Sequence, residues 1–188
     1  LVTRDPKRTS ELAMLFDIIT GVRSPEGARF ESLIVSPFEM RGRFLDLIER
    51  ETEHAMAGRP SGIRALMNGL TDSAAIAALY RASQAGVPIE LMVRGPCLLR
   101  PGAPGISDNI SIISIAGLLL QHARIYSFRN GGADAWYIGS ADWRPRNFDV
   151  RVETITPVDR PQHVALLDRV LAGTVATPDA WELREEGV

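Results

Sequence analysis

The sequence predicts an α/β domain in which a mixed β-sheet carries helices on its faces. Short apolar runs, typical of buried strands, alternate with stretches in which apolar residues recur at helical spacing. Short segments rich in glycine, proline and polar residues separate them. At 188 residues, with 45% hydrophobic and 23% charged side chains, the chain can bury one core of ordinary size. A single domain is therefore expected.

The N-terminal segment is predicted to hold one helix followed by a linker. Ser10 can cap a helix that runs through Ile19 and ends at Gly21. Polar residues around Pro25 and Gly27 come next, and they indicate a linker. The apolar face of this helix would carry Leu12, Leu15, Phe16 and Ile19.

The next part of the chain alternates strands and helices with short connections, which is typical of an α/β domain. The predicted elements are, in order, a strand at 33–35 that ends at Pro37, a helix from Phe44 to Gly58, a strand at 63–67, a helix from Thr71-Asp72 to Gly86, and a strand at 89–93.

Beyond Val93 the pattern changes, because prolines and glycines between residues 96 and 105 forbid a regular element. They predict a long shaped loop, and loops of this length in compact domains are usually functional. The elements predicted after it are strands at 110–115, 124–128 and 135–139, a turn or short helix at 117–121, a turn at Asn130-Gly131-Gly132, a final strand at 150–155, and a helix after Pro161 that buries Val164, Leu167 and Leu171.

Charge is concentrated in one segment. The whole chain has a net charge of -2, which argues against a basic nucleic-acid-binding protein. Residues 94–151 nevertheless carry seven arginines against four aspartates, together with His122. Guanidinium groups match phosphate oxygens, and a histidine can carry a proton or a phosphoryl group. The segment therefore indicates phosphoryl chemistry.

Cysteine content and hydropathy bear on location. Cys97 is the one cysteine of the chain, so no internal disulfide is possible and a reducing compartment is favoured. The sequence has no apolar run of about eighteen residues and no apolar signal core near its first residue. These features predict a cytoplasmic protein without a membrane span.

The candidate residues each admit two interpretations from the sequence alone. His122 lies between apolar segments, so it is either a core-edge histidine held by a backbone carbonyl or a proton or phosphoryl carrier. Arg94 follows a strand end, where ligands collect in open α/β sheets, but it could also be a solvated or ion-paired arginine. His54 and His163 match no motif and are expected at the surface, and no zinc-ligand spacing occurs.

Two sets of motifs carry a family resemblance. His122-Ala123-Arg124, then Gly139-Ser140, then Asn147 resemble a degenerate half-site of the phospholipase D superfamily, whose pattern is His-x-Lys followed by Gly-Ser-x-Asn. A longer series, strongest from residue 37 to residue 157, resembles the C-terminal domain of bacterial polyphosphate kinases. The matching strings are Met67-Asn68, Ala82-Ser83-Gln84-Ala85-Gly86-Val87, Val93-Arg94-Gly95, Leu99-Arg100-Pro101-Gly102-Ala103-Pro104-Gly105, His122-Ala123-Arg124-Ile125, Asn130-Gly131-Gly132, Ser140-Ala141-Asp142-Trp143, Arg146-Asn147 and Arg151-Val152-Glu153.

This resemblance implies a phospholipase D-like fold and a division of the chain. Residues 1–28 would be the end of a preceding domain and its linker, and residues 29–188 the C-terminal domain. The implied reaction is the reversible transfer of the terminal phosphate of ATP to polyphosphate through a phosphohistidine. Because that histidine lies in the preceding domain of the family, this segment is expected to be inactive alone.

The resemblance also implies roles for five residues. His122 would be the catalytic residue of this domain, contacting nucleotide phosphates or exchanging a proton. Arg94, Arg124, Ser140 and Asn147 would join it in binding the phosphates of ATP. Magnesium is expected with ATP, with no ligands identifiable in the chain. The implied partners are ATP or ADP, inorganic polyphosphate, the upstream domains and further copies in a homo-oligomer, and nucleic acid is not among them.

Three positions depart from the family, and two other functions stay open. Leu66 and Leu118 stand where relatives usually carry Lys and Arg, and Pro96 replaces an aliphatic residue beside Arg94, so polyanion binding could be weaker. One alternative is a phospholipase D-type phosphodiesterase that works as a dimer with one His122 from each chain. The other is a noncatalytic module that binds polyanions.

Overall fold

The computed structural model describes residues 2–115, 122–178 and 180–185. Within them, eight strands form one mixed sheet in the order β1-β7-β6-β5-β2-β3-β4-β8. The strands are β1 Ile34–Ser36, β2 Ile63–Met67, β3 Ile89–Val93, β4 Ile110–Ile115, β5 Ile125–Phe128, β6 Ala135–Gly139, β7 Glu153–Val158 and β8 Ala180–Leu183. The helices are α1 Pro6–Ile19, α2 Met40–Met56, α3 Ser73–Gln84, α4 Pro145–Asp149 and α5 Pro161–Val175. The predicted fold class is confirmed.

Strand direction brings distant parts of the chain to one end of the sheet. β2, β3 and β4 are parallel, whereas β5, β6, β7 and β1 alternate in direction outward from β2. As a result β2, β3, β4 and β6 finish at the same end at which β5 and β7 begin. We call this end the site end, since the predicted functional residues follow or precede these strands.

The two faces of the sheet have separate cores. Alternate strand residues such as Ala65, Leu91 and Tyr126 join the larger core together with apolar residues of α2 and α3. The intervening residues, such as Leu66 and Met92, join a smaller core with residues of α5. The helices therefore flank both faces, as the alternating sequence pattern predicts.

An aromatic cluster packs within the larger core. The rings of Tyr126 and Trp143 stack with centroids 5.4 Å apart, and Phe44 contacts both. The Tyr126 hydroxyl donates to the carbonyl of Ala141 at 2.6 Å. Trp143 is fully buried. The Trp143 ring is therefore part of the larger core.

Helix α1 begins earlier than the sequence pattern predicts. Asp5 is the N-cap, its carboxylate accepting the amide of Arg8, and Pro6 occupies the first turn. Ser10 lies inside the helix and donates to the carbonyl of Lys7. The prediction of a Ser10 cap was wrong because an aspartate followed by proline is a stronger start signal. Of the predicted apolar face, Leu15 is buried while Phe16 and Ile19 are more than half exposed.

The C-terminal part of the sheet also differs from the prediction. The strand predicted at 150–155 starts at Glu153 and continues to Val158, because Pro145 begins the short helix α4 and Val150 and Val152 are exposed. It is not the last strand, since β8 follows and pairs with β4. The turn or helix predicted at 117–121 lies outside the described residues. No helix in the described part of the chain has the length and hydrophobicity to cross a membrane.

Candidate phosphate site

Four of the five predicted site residues adjoin strands at the site end. Arg94 follows β3, His122 and Arg124 precede β5, and Ser140 follows β6. Neighbouring strands are about 4.8 Å apart, so β3 and β6, three steps apart in the sheet, place Arg94 and Ser140 on the order of 14 Å from each other. The residues therefore form a row along the end of the sheet, suited to an extended ligand.

Arg124 is fixed by the carboxylate of Asp142. Its Nε lies 3.0 Å from Oδ1 and its Nη2 lies 3.4 Å from Oδ2 of Asp142, whose side chain is nearly buried. The third nitrogen of the guanidinium, Nη1, donates to the backbone carbonyl of His122 at 2.6 Å. Three of the five N–H groups of Arg124 thus donate to the protein, and the one on Nη1 holds the backbone carbonyl of His122.

His122 itself is exposed. Its side chain is therefore not part of the core, which removes the interpretation of a core-edge histidine. It lines an open groove of about 490 Å³ together with Arg124, Gly139 and Thr154. Its exposure leaves the imidazole accessible to a ligand or to another domain, and its catalytic role stays a prediction.

Arg94 is half-buried at the end of β3. Its amide donates to the carbonyl of Met67 at 3.2 Å, and its own carbonyl accepts the hydroxyl of Ser114 at 3.3 Å. The guanidinium nitrogen Nη1 is buried and has no hydrogen-bond partner among the described residues, and no carboxylate there pairs with it. A buried cationic donor without an acceptor is costly, so this geometry favours anion binding over a structural salt bridge.

Ser140 and Asn147 differ in accessibility. Ser140 is exposed, and its hydroxyl accepts the amide of Thr154 at 3.4 Å. Asn147 is 3% exposed, and its Nδ2 donates to Oε1 of Glu153 at 2.6 Å. Phosphate contact by Asn147 stays a prediction, but this buried bond opposes it and gives the residue a structural role.

Asp142 lies in one of the matching strings, but the motif comparison gave it no role at the site. In the pattern Gly-Ser-x-Asn the amide residue follows the serine by two positions, and two positions after Ser140 the chain has Asp142, not Asn147. The same carboxylate that holds Arg124 also accepts the backbone amide of Asn68 at 2.8 Å, so it ties β2, β5 and the segment after β6 together. Strict motif spacing could have found this residue. Its pairing with Arg124 could not be deduced from spacing.

The predicted loop after β3 is well anchored. Its residues 97 and 98 pair with Leu70, and the Arg100 amide donates to the Tyr80 hydroxyl at 2.9 Å. Leu99 is buried. The loop thus has a fixed shape against α3, and its functional role stays a prediction. Pro96, one of the departures from the family, uses its carbonyl to accept the Leu70 amide.

Two glycines and one histidine lie at the opposite end of the sheet. Gly131 and Gly132, with positive φ, form the turn between β5 and β6. A Cβ on Gly131 would lie 3.1 Å from His54, whose Nδ1 accepts a hydrogen bond from Arg59. The predicted turn at Asn130-Gly131-Gly132 is confirmed, and it lies at the end of the sheet away from Arg94 and His122. His54 is half-buried, which corrects the prediction of a surface histidine.

The described side chains do not form a metal centre. Across residues 2–115, 122–178 and 180–185, no three His, Cys, Asp or Glu side chains come together in a metal-binding arrangement. Of the acidic groups at the site end, Asp142 already accepts from Arg124 and Asn68, and Glu153 accepts from Asn147. These residues fit an anion and do not fit a protein-held magnesium ion.

The mixed sheet and its flanking helices form a phospholipase D-like fold. The structure superposes on a phospholipase D family member from Salmonella typhimurium with a TM-score of 0.58 at 14% identity, covering 81% of this chain and 96% of that one. At this identity the likeness concerns the fold alone. The family described as polyphosphate kinase C-terminal domain 2 matches residues 33–188. The chain belongs to that family.

Its relatives are much longer proteins. A polyphosphate kinase from Thermosynechococcus vestitus is 49% identical over 179 residues, which cover 95% of this chain and 24% of the relative. The crystal structure of polyphosphate kinase from Porphyromonas gingivalis matches with a TM-score of 0.91 at 37% identity, covering 98% of this chain and 28% of that one. The chain spans about a quarter of the length of its relatives. The family resemblance seen in the motifs is confirmed, whereas the division of the chain after residue 28 stays a prediction.

Proposed function

We propose that this chain is the C-terminal catalytic-domain part of a polyphosphate kinase, an enzyme that transfers the terminal phosphate of ATP reversibly to polyphosphate. Membership of the family supports the proposal. The structural observation that carries it is the partnerless Nη1 of Arg94 among the described residues, at the same end of the sheet as the exposed His122. A buried cationic donor at a strand end calls for an anionic ligand.

In the proposed reaction, a histidine nitrogen of the upstream domain attacks the terminal phosphorus of ATP. The new P–N bond forms as the P–O bond to the β-phosphate breaks, and ADP leaves. A terminal oxygen of polyphosphate then attacks the phosphohistidine, and the P–N bond breaks. The protein contributes mainly positioning and charge in such transfers.

Within this scheme the residues of the site end have separate tasks. Arg94 donates hydrogen bonds to oxygens of the transferred phosphate, where negative charge has to be stabilised. His122 donates a proton or a hydrogen bond to the leaving oxygen of ADP and recovers it in the reverse direction. Arg124, tied to Asp142, keeps the backbone of His122 in place. Ser140 supplies a hydroxyl that can bind another phosphate of the ligand, farther along the row of site residues from Arg94.

Other parts of the proposal rest on the family resemblance. Magnesium would arrive with ATP and neutralise the charge of the triphosphate. The upstream domains of the same polypeptide would supply the phosphorylated histidine, and the enzyme would work as a cytoplasmic homo-oligomer. Asn147 would act indirectly, by fixing the segment between β6 and β7 through Glu153.

The proposal can be tested by titrating the 188-residue chain with ATP and with tripolyphosphate at two salt concentrations. We expect weak binding that falls strongly with salt, because arginine–phosphate contacts are screened within about 8 Å at physiological ionic strength. Arg94→Ala should reduce binding, whereas Arg160→Ala, an exposed cation beyond the far end of β7, should leave it unchanged.

The same preparation should not synthesise polyphosphate from ATP, because the nucleophilic histidine lies in the upstream domain. Binding that does not depend on salt, or polymer synthesis by this chain alone, would contradict the proposal. Hydrolysis of a model phosphodiester that disappears in His122→Ala would favour the phosphodiesterase alternative.

A further inference from the structure

We propose that the side-chain amide of Asn68 forms, with Arg94, a pocket for one oxygen atom of a phosphate or polyphosphate ligand. This inference rests on the proposed function, because it assigns a further binding residue at the same end of the sheet. Asn68 Nδ2 and Arg94 Nη1 are both buried, and neither has an acceptor among the described residues. Both residues line the same recess.

The backbone of Asn68 is held from two sides. Its amide donates to Asp142 Oδ1 at 2.8 Å, and its carbonyl accepts the amide of Gly95 at 3.0 Å. Gly95 approaches so closely that a Cβ there would lie 2.7 Å from the backbone carbonyl oxygen of Asn68. The side-chain amide therefore projects from a fixed backbone, a condition for a preorganised binding group.

The two donors cannot satisfy each other. A guanidinium has no acceptor, so the Nδ2 group of Asn68 cannot donate to Arg94. Asn68 is only 8% exposed, so bulk water does not readily replace the missing partner. An oxygen acceptor that arrives with a ligand would satisfy both groups, and a phosphate oxygen has enough lone pairs to accept from both.

The size of the recess determines how much of the ligand it takes. Its volume of about 10 Å³ is close to the space that one water molecule needs. Apart from Asn68 and Arg94, its walls are lined by apolar residues that include Leu66, Met92, Ile115 and Ala123. It therefore admits a single oxygen atom, while the phosphorus and its other oxygens lie outside. Apolar walls also strengthen the attraction between Arg94 and the anion.

The position of the recess connects it with His122. Ala123, one of its wall residues, lies directly between His122 and Arg124, whose guanidinium donates to the His122 carbonyl. A phosphate with one oxygen in the recess is thus placed beside the segment that carries the proposed proton donor. Asn68 would act as a binding residue that orients this phosphate and would not take part in proton transfer.

The experiment is a calorimetric titration of the 188-residue chain with tripolyphosphate, run on three proteins together with their thermal unfolding. We expect Asn68→Leu, which keeps the size and removes the donor, to weaken binding about tenfold or more, the scale of a hydrogen bond to a charged group. Its melting temperature should stay the same or rise, because a buried amide without a partner is replaced by an apolar group. Asn68→Asp should fold, since the carboxylate can pair with Arg94, yet lose measurable tripolyphosphate binding.

The outcomes separate this inference from the proposed function. If the unmodified chain binds tripolyphosphate and Asn68→Leu binds equally well, the Asn68 pocket is refuted and the proposed function stands. If Asn68→Leu melts at a lower temperature but keeps its affinity for tripolyphosphate, Asn68 only holds a structural water. This outcome also refutes the pocket. If the unmodified chain does not bind tripolyphosphate at all, both proposals fail.

Discussion

The guanidinium of Arg124 and the carboxylate of Asp142 form an ion pair in which the two side chains are 17% and 6% exposed. Arg124 stands where phospholipase D-like motifs place a lysine. A lysine has one nitrogen, whereas the guanidinium bonds both Asp142 and the carbonyl of His122. In this structure Arg124 therefore supports the backbone of the neighbouring histidine.

Asp142→Asn should destabilise the domain, because Arg124 would be left largely buried without its counter-charge. We expect the free energy of unfolding to fall by about 3 kcal/mol, the scale measured when one partner of a buried pair is removed. Denaturant unfolding gives this quantity. The matched control is Asp134→Asn, which breaks the more exposed pair with Arg129 and should cost less than about 1 kcal/mol. If both variants lost the same unfolding free energy, the ion pair of Asp142 with Arg124 would stabilise the fold no more than the exposed pair does.

In the full-length enzyme, Arg94→Ala and His122→Ala should each reduce turnover by at least about a hundredfold, the usual scale for a positioned charge or proton-transfer group. Because His122 is exposed, its replacement should leave the melting temperature nearly unchanged. We expect His122→Ala to be the more severe variant, since other arginines near the site end still supply charge. Normal turnover per folded His122→Ala molecule would remove the catalytic assignment.

Glu11 should make the attachment of α1 dependent on pH. Burial by itself raises the pKa of this carboxyl, but hydrogen bonds from the backbone of Ser32, Leu33 and Glu31 outweigh it and lower the pKa from its ordinary 4.5. The ionised group therefore stabilises the fold at neutral pH, and this contribution is lost as the pH falls from about 4.5 through the lower folded value.

Glu11→Gln is the variant that tests this dependence. It should lower the free energy of unfolding by about 1 kcal/mol at pH 7, after allowance for solvent around a partly exposed group. The difference from the unmodified chain should vanish below the folded pKa. Unfolding curves between pH 3 and pH 8 measure it, with the exposed Glu26→Gln as control. A difference that does not change with pH would exclude the ionised carboxylate as its source.

Gly139→Ala should be strongly destabilising for steric reasons. A Cβ at this position would collide with the carbonyl oxygen of Thr154 and with the side chain of Ile155 on the neighbouring strand. Since backbone has to move, we expect a loss of at least about 2 kcal/mol in unfolding free energy. Gly42→Ala lies in α2, where the new Cβ would meet no described atom within 4 Å beyond the helix's own backbone and its chain neighbours, so it should be neutral or slightly stabilising. If both variants have the same free energy of unfolding, β6 and β7 adapt to the added Cβ more easily than the structure indicates.

The sequence predicts those strands whose signal is local. β2, β3, β4 and β6 have the predicted bounds because each is an apolar run enclosed by turn residues. Strand β8, Ala180–Leu183, contains Trp181 and Glu182 at exposed positions and has no such signal. It is a strand because it pairs with β4, a long-range contact that sequence periodicity does not contain.

The candidate site likewise contains residues that the sequence predicts and residues whose contacts only the structure shows. Arg94 and His122 could be proposed because they adjoin strand ends and match family motifs. The functions of Arg124 and Asn147 in the structure depend on partners, Asp142 and Glu153, that only the folded chain identifies. Asn68 could be recognised only in the folded chain, because its buried side-chain amide has no acceptor among the described residues.

Strand β8 also has a consequence for self-association. It covers residues 112–115 of β4, a strand of isoleucine and serine that would otherwise leave a row of backbone amides and carbonyls unpaired at the margin of the sheet. Such open margins recruit strands from other molecules. A chain cut before Ala180 would therefore be prone to edge-to-edge aggregation, although every residue of the candidate site would remain.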